Sequence, residues 1–479
     1  MYNKCKVLRI LEGKCVRNIE RDKQKQNRGG SFMHYVIIGG DAAGMSATME
    51  IVRNDPSAQI TTLEKGHIYS YGQCGLPYVV GKHVPSSTDV IARSVEMFRS
   101  KYGIDAKTGY EVTKVDPINK TVSGNILQTR DNFILNYDRL LIATGATPVI
   151  PEWDGSNLEG IHTIKTIPDT EAIIADLYNV QQVTIIGGGY IGLEMAENFV
   201  SIGKKVRIIQ RGDQLAGIFD NDIACFIHEH AKENNVEVIL NEEVQSLKGD
   251  TRVNKVITDK GSYPTDLVLV AVGVKPTTEF LDGTGIQMHP NGAIVVNNHL
   301  ETNLDSIYAA GDCATHFHRI KQVNDYIPLG TTANKQGRMA GLNMIGQAHE
   351  FKGIVGTSIM KFFDLALGKT GLSEKEAEQL GISYDVHVQE ASDIAGYYPG
   401  KETMHIKLIY RKGDQQLLGG QIIGGNGVDK RIDVLATALY HRMTFSELLD
   451  LDLAYAPPFN GVWDPLQQMA KRNTNTTQN

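Results

Sequence analysis

Cys74 stands in the run Ser70-Tyr71-Gly72-Gln73-Cys74-Gly75-Leu76-Pro77-Tyr78, between glycines and just ahead of a proline. That composition reads as a constrained turn rather than a core strand, which leaves the thiol a candidate for redox chemistry. The ordinary fate of a lone cysteine is burial as a small apolar residue. Cys313, which follows a Gly-Asp pair, and Cys225, in a helical pattern, fit that fate better. Cys5 and Cys15 lie in a basic N-terminal stretch. No two of the five form a C-x-x-C pair or a zinc spacing, so no metal site is expected.

Two glycine-rich turns supply the second piece of chemistry. The first follows His34-Tyr35-Val36-Ile37-Ile38 and runs Gly39-Gly40-Asp41-Ala42-Ala43-Gly44. The second follows Val183-Thr184-Ile185-Ile186 and runs Gly187-Gly188-Gly189-Tyr190-Ile191-Gly192. Each leads into a helical pattern, Met45 to Arg53 and Leu193 to Ile202, and then a further strand, Gln59–Glu64 and Lys205–Gln210. A repeated strand–turn–helix–strand unit is the context in which G-x-G-x-x-G binds a dinucleotide. The first glycine permits the tight turn, the second lets backbone approach a pyrophosphate, and the third lets helix pack on strand. The helix N-terminus then presents free N–H groups to the phosphates. Asp41 replaces the middle glycine of the first turn, which makes that motif the weaker of the two.

Strand ends separate the two cofactors. Glu64 can hold a ribose diol, as for FAD. The second unit ends in Gln210-Arg211, where no carboxylate repels a 2′-phosphate. Arg211 either pairs with that phosphate or is a solvated surface charge. The unit leans toward NADPH, or toward tolerance of both NADPH and NADH.

These motifs need elements to position them. The runs Leu140 to Gly145 and Leu267 to Gly273 read as buried strands that break at glycine, then at Pro148 and Pro276, as a chain crossing between domains would. Ser306 to Asp312 is another apolar strand, ending in Gly311-Asp312. From about Gly353 the pattern turns to mixed strands and helices with no nucleotide motif. The 479 residues, 41% apolar and 22% charged, suit several packed domains. A net charge of −7 without a basic stripe in the body of the chain argues against nucleic acid as the main partner. No apolar run approaches the roughly 18 residues of a membrane span. An odd cysteine count without a framework suggests a reducing compartment, by default the cytoplasm.

In order, a glycine-rich turn, Cys74, the Ala143-Thr144-Gly145 strand end, a second glycine-rich turn, Gly311-Asp312 and a last domain resemble the flavoprotein disulfide reductases with two dinucleotide-binding domains. The resemblance runs from Met33 to about Lys471. It implies an α/β fold of two Rossmann-like dinucleotide-binding domains plus a C-terminal α+β dimerisation domain. The implied limits are 33–150 and 277–352 for the FAD-binding domain, 151–276 for the NAD(P)H-binding domain and 353–471 for dimerisation. A flexible tail is expected at 472–479, and a disordered or non-native extension at 1–32, with Met33 as the start.

By that resemblance, FAD falls to Gly39, Ala42, Ala43, Gly44, Glu64, Thr144, Gly145, Gly311, Asp312 and Ala333. NAD(P)H falls to Gly187, Gly189, Tyr190, Ile191, Gly192, Glu194, Gln210, Arg211 and Gly273, with Tyr190 resembling the gate over the flavin. Most such proteins carry a C-x₄-C pair, but positions 69 and 79 are Tyr69 and Val79. The chain resembles instead the single-cysteine branch, which includes coenzyme A disulfide reductases, NADH oxidases and peroxidases, and persulfide reductases. S-x-x-x-C-G-L-P-Y is closest to the coenzyme A disulfide reductases, with Gln73 in place of their usual Asn. Ala42 stands where oxidases and peroxidases carry a His, and without it sulfenic-acid chemistry lacks an acid–base partner. Persulfide reductases of the branch often add a rhodanese domain, and none is expected beyond Lys471.

The implied reaction passes hydride from NAD(P)H to FAD and then to Cys74, which rests as a mixed disulfide with coenzyme A and attacks coenzyme A disulfide. The alternatives are an NAD(P)H oxidase or peroxidase, a coenzyme A persulfide or polysulfide reductase, a ferredoxin-type reductase and a flavin redox sensor. Coenzyme A contacts are expected from Ser70 and Gln73 beside the thiol. Ser46 and Arg53 share a helix face with Glu50, and Arg53 is the phosphate candidate. Arg99 and Lys101 read better as surface charges. A homodimer is implied in which Tyr455 and Tyr397 of one subunit complete the other's thiol site.

Overall fold

The computed structural model describes residues 32–476. The stretch 1–31, with Cys5, Cys15 and all but Phe32 of the expected extension, lies outside the described residues, as do 477–479.

In strand His34–Ile38 the residues Tyr35 to Ile38 are apolar and buried because the strand is covered on both faces, as a central parallel strand must be. It sits third in a parallel sheet ordered Ile307–Ala309, Arg139–Ile142, His34–Ile38, Gln59–Glu64, Asp105–Thr108. The second unit repeats that order with Ile161–His162, Leu267–Val270, Gln182–Ile186, Lys205–Gln210 and Val236–Leu240. The outer strand comes from far downstream in the first unit and from just upstream in the second. The second unit is therefore set inside the first. The chain leaves through Ala146–Pro148 and returns through Val274–Pro276, and these two segments pair as an antiparallel ribbon.

The dinucleotide helices are Ala42–Asn54 and Tyr190–Ser201, so each starts three residues earlier than the apolar periodicity suggests. The third glycine of each motif is already inside the first helical turn. Each unit also carries a three-stranded antiparallel sheet without a counterpart in the sequence reading: Tyr110–Asp116, Thr121–Ile126, Asn132–Asn136 and Val244–Gly249, Val253–Thr258, Ser262–Pro264. Asn132–Asn136 is only half-buried on its inner face, which leaves little apolar periodicity to read.

The C-terminal unit is an antiparallel sheet ordered Ser358–Phe362, Leu365–Gly371, Leu417–Gly424, Thr403–Arg411, Tyr384–Ser392. Helix Val428–Tyr440 lies on it, with Ile432 over Gly368 and Leu435 over Gly420. Helix Pro465–Thr476 runs through most of the expected flexible tail. Lys407, 1% exposed, joins this sheet to the second unit through Asp222 at 2.7 Å and Asp220 at 3.3 Å, and also meets Glu374. Leu76 and Val80, just past Cys74, share one core with Leu193 and Phe199 of the second unit and with Met360 and Phe362 of the C-terminal sheet. Cys74 is thereby held where the three units meet.

Candidate active site

The cysteine segment is tied to the first glycine-rich turn. Ser70 donates its N–H to Gly40 O at 3.0 Å and adopts φ 49°, a left-handed conformation that costs a non-glycine residue energy. Asp41 accepts from Tyr71 N at 3.2 Å and from Gln73 Nε2 at 2.7 Å. Burial pushes the Asp41 carboxyl up to about 6. The two departures from the motifs belong together, since the long Gln73 amide reaches a carboxylate that a glycine would not provide. Gln73, a candidate substrate contact, stands beside the thiol with its amide donating to Asp41.

Gln73–Gly75 is a single 3₁₀ turn that runs into the short helix Leu76–Val80, where Pro77 occupies a first-turn position that needs no N–H partner. Cys74 opens onto a cleft of about 650 Å³. Tyr78 and Glu194 line it, and Lys361, Asp364, Glu402 and Asn426 of the C-terminal unit close it. Desolvation raises the Cys74 thiol above its ordinary value, the Glu194 carboxylate adds to the rise, and Lys165 opposes it. Lys165 meets Asp312 Oδ2 at 3.3 Å and is a site cation that no motif had singled out.

Glu194 and Glu197 lie one helical turn apart. Glu197 is 4% exposed and is ion-paired to Lys361. Burial, with the Glu197 charge, pushes Glu194 from its ordinary 4.5 to about 7. The folded chain therefore holds the Glu194 proton where the unfolded chain has lost it. This part of the wild-type stability falls as pH rises from 4.5 through 7. Relative to wild type, apo Glu194→Gln should gain about 3 kcal/mol between pH 4.5 and 8 in denaturant unfolding. A difference that does not change with pH would mean that Glu194 ionises normally. Lys361 and Glu197 were missed because their pairing joins residues from two units.

Both glycine-rich turns fit a dinucleotide. A Cβ on Gly44 would lie 2.0 Å from Gly39 O, and one on Gly192 would lie 2.0 Å from Gly187 O, so each helix packs on its turn without room for a side chain. In front of Gly189 a Cβ would meet nothing within 4 Å. That open edge, before a helix whose first turn has no side-chain cap, leaves N–H groups for a phosphate. Tyr190 hydrogen-bonds Ser358 of the C-terminal unit through its hydroxyl, and Ile191 is partly buried behind it. Glu64 accepts from Gly40 N at 2.8 Å and stands at the end of its strand, as a ribose ligand would. Ala42 and Ala43 open the first helix. A Cβ on Gly311 would lie 3.0 Å from Ala43 Cβ and 3.5 Å from Ala333 Cβ, so these three distant positions converge. Thr144 Oγ1 donates to Thr277 O at 2.7 Å, and Gly145 and Gly273 flank the two-stranded crossing with open space before them.

The expected coenzyme A contacts are less gathered. Ser46 Oγ bonds Asn334 Oδ1 at 2.8 Å. Arg53 pairs with Glu50 at 2.7 Å, Arg338 approaches the same carboxylate at 3.6 Å, and none of them lines the Cys74 cleft. Arg99 donates twice to Ala106 O, an anchoring role. Cys313 is buried against Ile142 O and Ala310 O, and Cys225 bonds Asp222 O on an outer helix.

Tyr397 and Tyr455 are 76% and 47% exposed and meet hydroxyl to hydroxyl at 3.4 Å. Neither lines the Cys74 cleft of its own chain. Arg431, buried beneath them, ties their two loops together. It donates to Asp393 O at 2.8 Å and Asn460 Oδ1 at 3.0 Å, and pairs with Asp464 at 3.0 Å. Phe459, Val462 and Trp463 are exposed beside the pair.

Among the described residues no helix is long and apolar enough to cross a membrane, and no group of three or more His, Cys, Asp or Glu could hold a metal.

Family models match residues 33–337, as pyridine nucleotide-disulphide oxidoreductase, and residues 357–466, as the dimerisation domain of the same family. An NAD(P)H coenzyme A polysulfide/persulfide reductase of Pyrococcus horikoshii is 38% identical over 440 residues, covering 91% of this chain and 97% of that protein. A coenzyme A disulfide reductase of Staphylococcus haemolyticus is 31% identical, covering 89% and 96%. The crystal structure of reduced Bacillus anthracis CoADR-RHD superposes with a TM-score of 0.91 at 32% identity, over 94% of this chain and 81% of that one. With two nucleotide units of one strand order, a cysteine at their junction and a matching C-terminal unit, the chain belongs to the pyridine nucleotide-disulfide oxidoreductases, NAD(P)H-dependent flavin enzymes.

Proposed function

We propose that this enzyme reduces coenzyme A disulfide with NAD(P)H through Cys74 alone. The observation that carries the reading is a lone cysteine opening onto a cleft in which no second thiol stands among the described residues. Among the described residues no cysteine stands within disulfide reach of Cys74, so an external thiol is its partner in this reading. The Cys74 thiolate attacks one sulfur of the disulfide, the S–S bond breaks, and one coenzyme A leaves as a thiolate that takes a proton. Cys74–S–S–coenzyme A remains. Two electrons from NAD(P)H then cleave that bond, release the second thiol and restore the Cys74 thiolate. One NAD(P)H and one proton yield two coenzyme A thiols.

Bound FAD supplies the two-electron transfer between the nicotinamide and that disulfide. The first turn, Glu64, Thr144, Gly145, Gly311, Asp312 and Ala333 hold it. The second turn, Glu194, Gln210, Arg211 and Gly273 hold NAD(P)H, with Tyr190 as the gate. Ser70 lies beside the thiol, while Ser46 and Arg53 reach the coenzyme A phosphates once Arg53 leaves Glu50. In a homodimer, Tyr455 and Tyr397 of the partner subunit reach Cys74 and protonate the leaving thiolate. A phenol donor beside Cys74 would favour its thiolate. Ala42 speaks against the oxidase and peroxidase reading. Free thiols as both catalyst and product fit a reducing cytoplasm.

A second reading, coenzyme A persulfide reduction, is favoured by the higher identity to the Pyrococcus horikoshii protein. It uses the same attack by Cys74 and releases sulfide. Intact mass before and after dithiothreitol tests the common step. A reducible adduct with the mass of coenzyme A is expected. A bare thiol or one added oxygen would sink the mixed-disulfide step and favour the oxidase. Sulfide released from coenzyme A persulfide during turnover would select the second reading.

A further inference from the structure

The second strand of each nucleotide unit ends in a side chain that reaches back to its own glycine-rich turn. Glu64 accepts from Gly40 N at 2.8 Å, and Gln210 Oε1 accepts from Gly188 N at 3.0 Å. Replacing carboxylate by amide keeps the turn's hydrogen bond and removes the charge that would reject a 2′-phosphate. A carboxylate is nevertheless supplied by the neighbouring strand. Val236–Leu240 pairs in parallel with Lys205–Gln210, placing Leu240 opposite Gln210. The loop that follows is bound to the Arg211 loop, with Asn241 N on Gly212 O at 2.9 Å and Glu242 N on Gln210 O at 3.3 Å. Glu242 is engaged by Thr258 Oγ1 at 2.6 Å and by the Tyr263 hydroxyl at 2.9 Å. The Glu243 backbone is fixed by Asp259 Oδ1, which accepts its N–H at 2.8 Å. The Glu243 carboxylate is left for Arg211, which it meets at 3.3 Å with both side chains largely exposed. So exposed a pair is weak and exchangeable.

We propose that Glu243 is a specificity-determining residue that competes with the cofactor's 2′-phosphate for Arg211 and so sets the preference between NADPH and NADH. The inference rests on the second unit being the NAD(P)H site. When NADPH enters, Arg211 exchanges a carboxylate for the phosphate, and the Glu243 charge stays on the adjoining loop, within repulsive reach of the dianion. NADH places a neutral hydroxyl there and leaves the Arg211–Glu243 pair intact. The wild type thus accepts both cofactors, with its NADPH preference held down by Glu243.

The test is equilibrium binding of 2′,5′-ADP and of 5′-ADP to the FAD-loaded protein, by calorimetry, at low and high salt. Glu243→Gln should bind 2′,5′-ADP about five- to tenfold tighter, with 5′-ADP within about twofold of wild type, and the gain should shrink in high salt. Arg211→Gln should bind the two ligands alike. An unchanged ratio in Glu243→Gln, or weaker binding of 2′,5′-ADP because Glu243 orients Arg211 productively, would overturn the proposal. Wild-type protein that binds neither ligand would overturn the placement of the nucleotide itself, and the proposal with it.

Discussion

Cys74→Ser is expected to lower NAD(P)H-dependent reduction of coenzyme A disulfide by at least about a thousandfold, the scale of removing a nucleophile with nothing to replace it. FAD should stay bound, because the residues proposed to hold it lie on the first glycine-rich turn, at Glu64 and at Gly311-Asp312, and the Cys74 sulfur makes no hydrogen bond to them. NAD(P)H should still bleach the flavin in a single stopped-flow turnover, since the nicotinamide side is untouched. The pairing of Asp41 with the Gln73 amide does not involve the sulfur, so the loop should persist. Loss of FAD from this variant would make Cys74 structural. Retained turnover would exclude it as the nucleophile. The reducible coenzyme A adduct should vanish together with the activity.

The second large effect concerns the tyrosines. Tyr397 and Tyr455 touch each other, are exposed, and do not face the Cys74 cleft of their own chain. Replacing both by Phe should cost about a hundredfold or more in disulfide turnover, the scale of losing a positioned general acid. The informative experiment is a mixed dimer. One chain carries Cys74→Ser and the other carries Tyr397→Phe with Tyr455→Phe. Each homodimer should be nearly inactive. The heterodimer should regain about half of the wild-type rate, because one of its sites pairs an intact Cys74 with intact tyrosines. Absence of that recovery would place the tyrosines outside the partner's site. The Arg431 network beneath them, with Asp464 and Asn460, fixes both loops and makes the pair a preformed feature of each subunit.

Much of the architecture was legible in the residues. His34–Ile38 and Gln182–Ile186 are apolar strands ending in glycine turns, and both became central strands of parallel sheets. Gly44 and Gly192 announced close helix–strand packing, since no other residue fits where a Cβ would strike a carbonyl oxygen. The Gly-then-Pro breaks marked the crossing that became a two-stranded ribbon. Local chemistry carries such information because turn geometry and strand burial are set by neighbours in the chain. The half-buried meander strand Asn132–Asn136 carried no comparable pattern.

The sequence by itself determined the fold class, the two dinucleotide turns and the candidate thiol, because each depends on residue types a few positions apart. The tertiary structure alone decided what surrounds that thiol. Lys361 is 164 residues from Glu197, and Lys165 is 147 residues from Asp312, yet both pairs form beside Cys74. It also turned Gln73 toward Asp41 and Arg53 toward Glu50, and brought Glu243 to Arg211. Charges pair with whatever the packing of separate units brings within a few ångströms, and spacing along the chain holds no record of that.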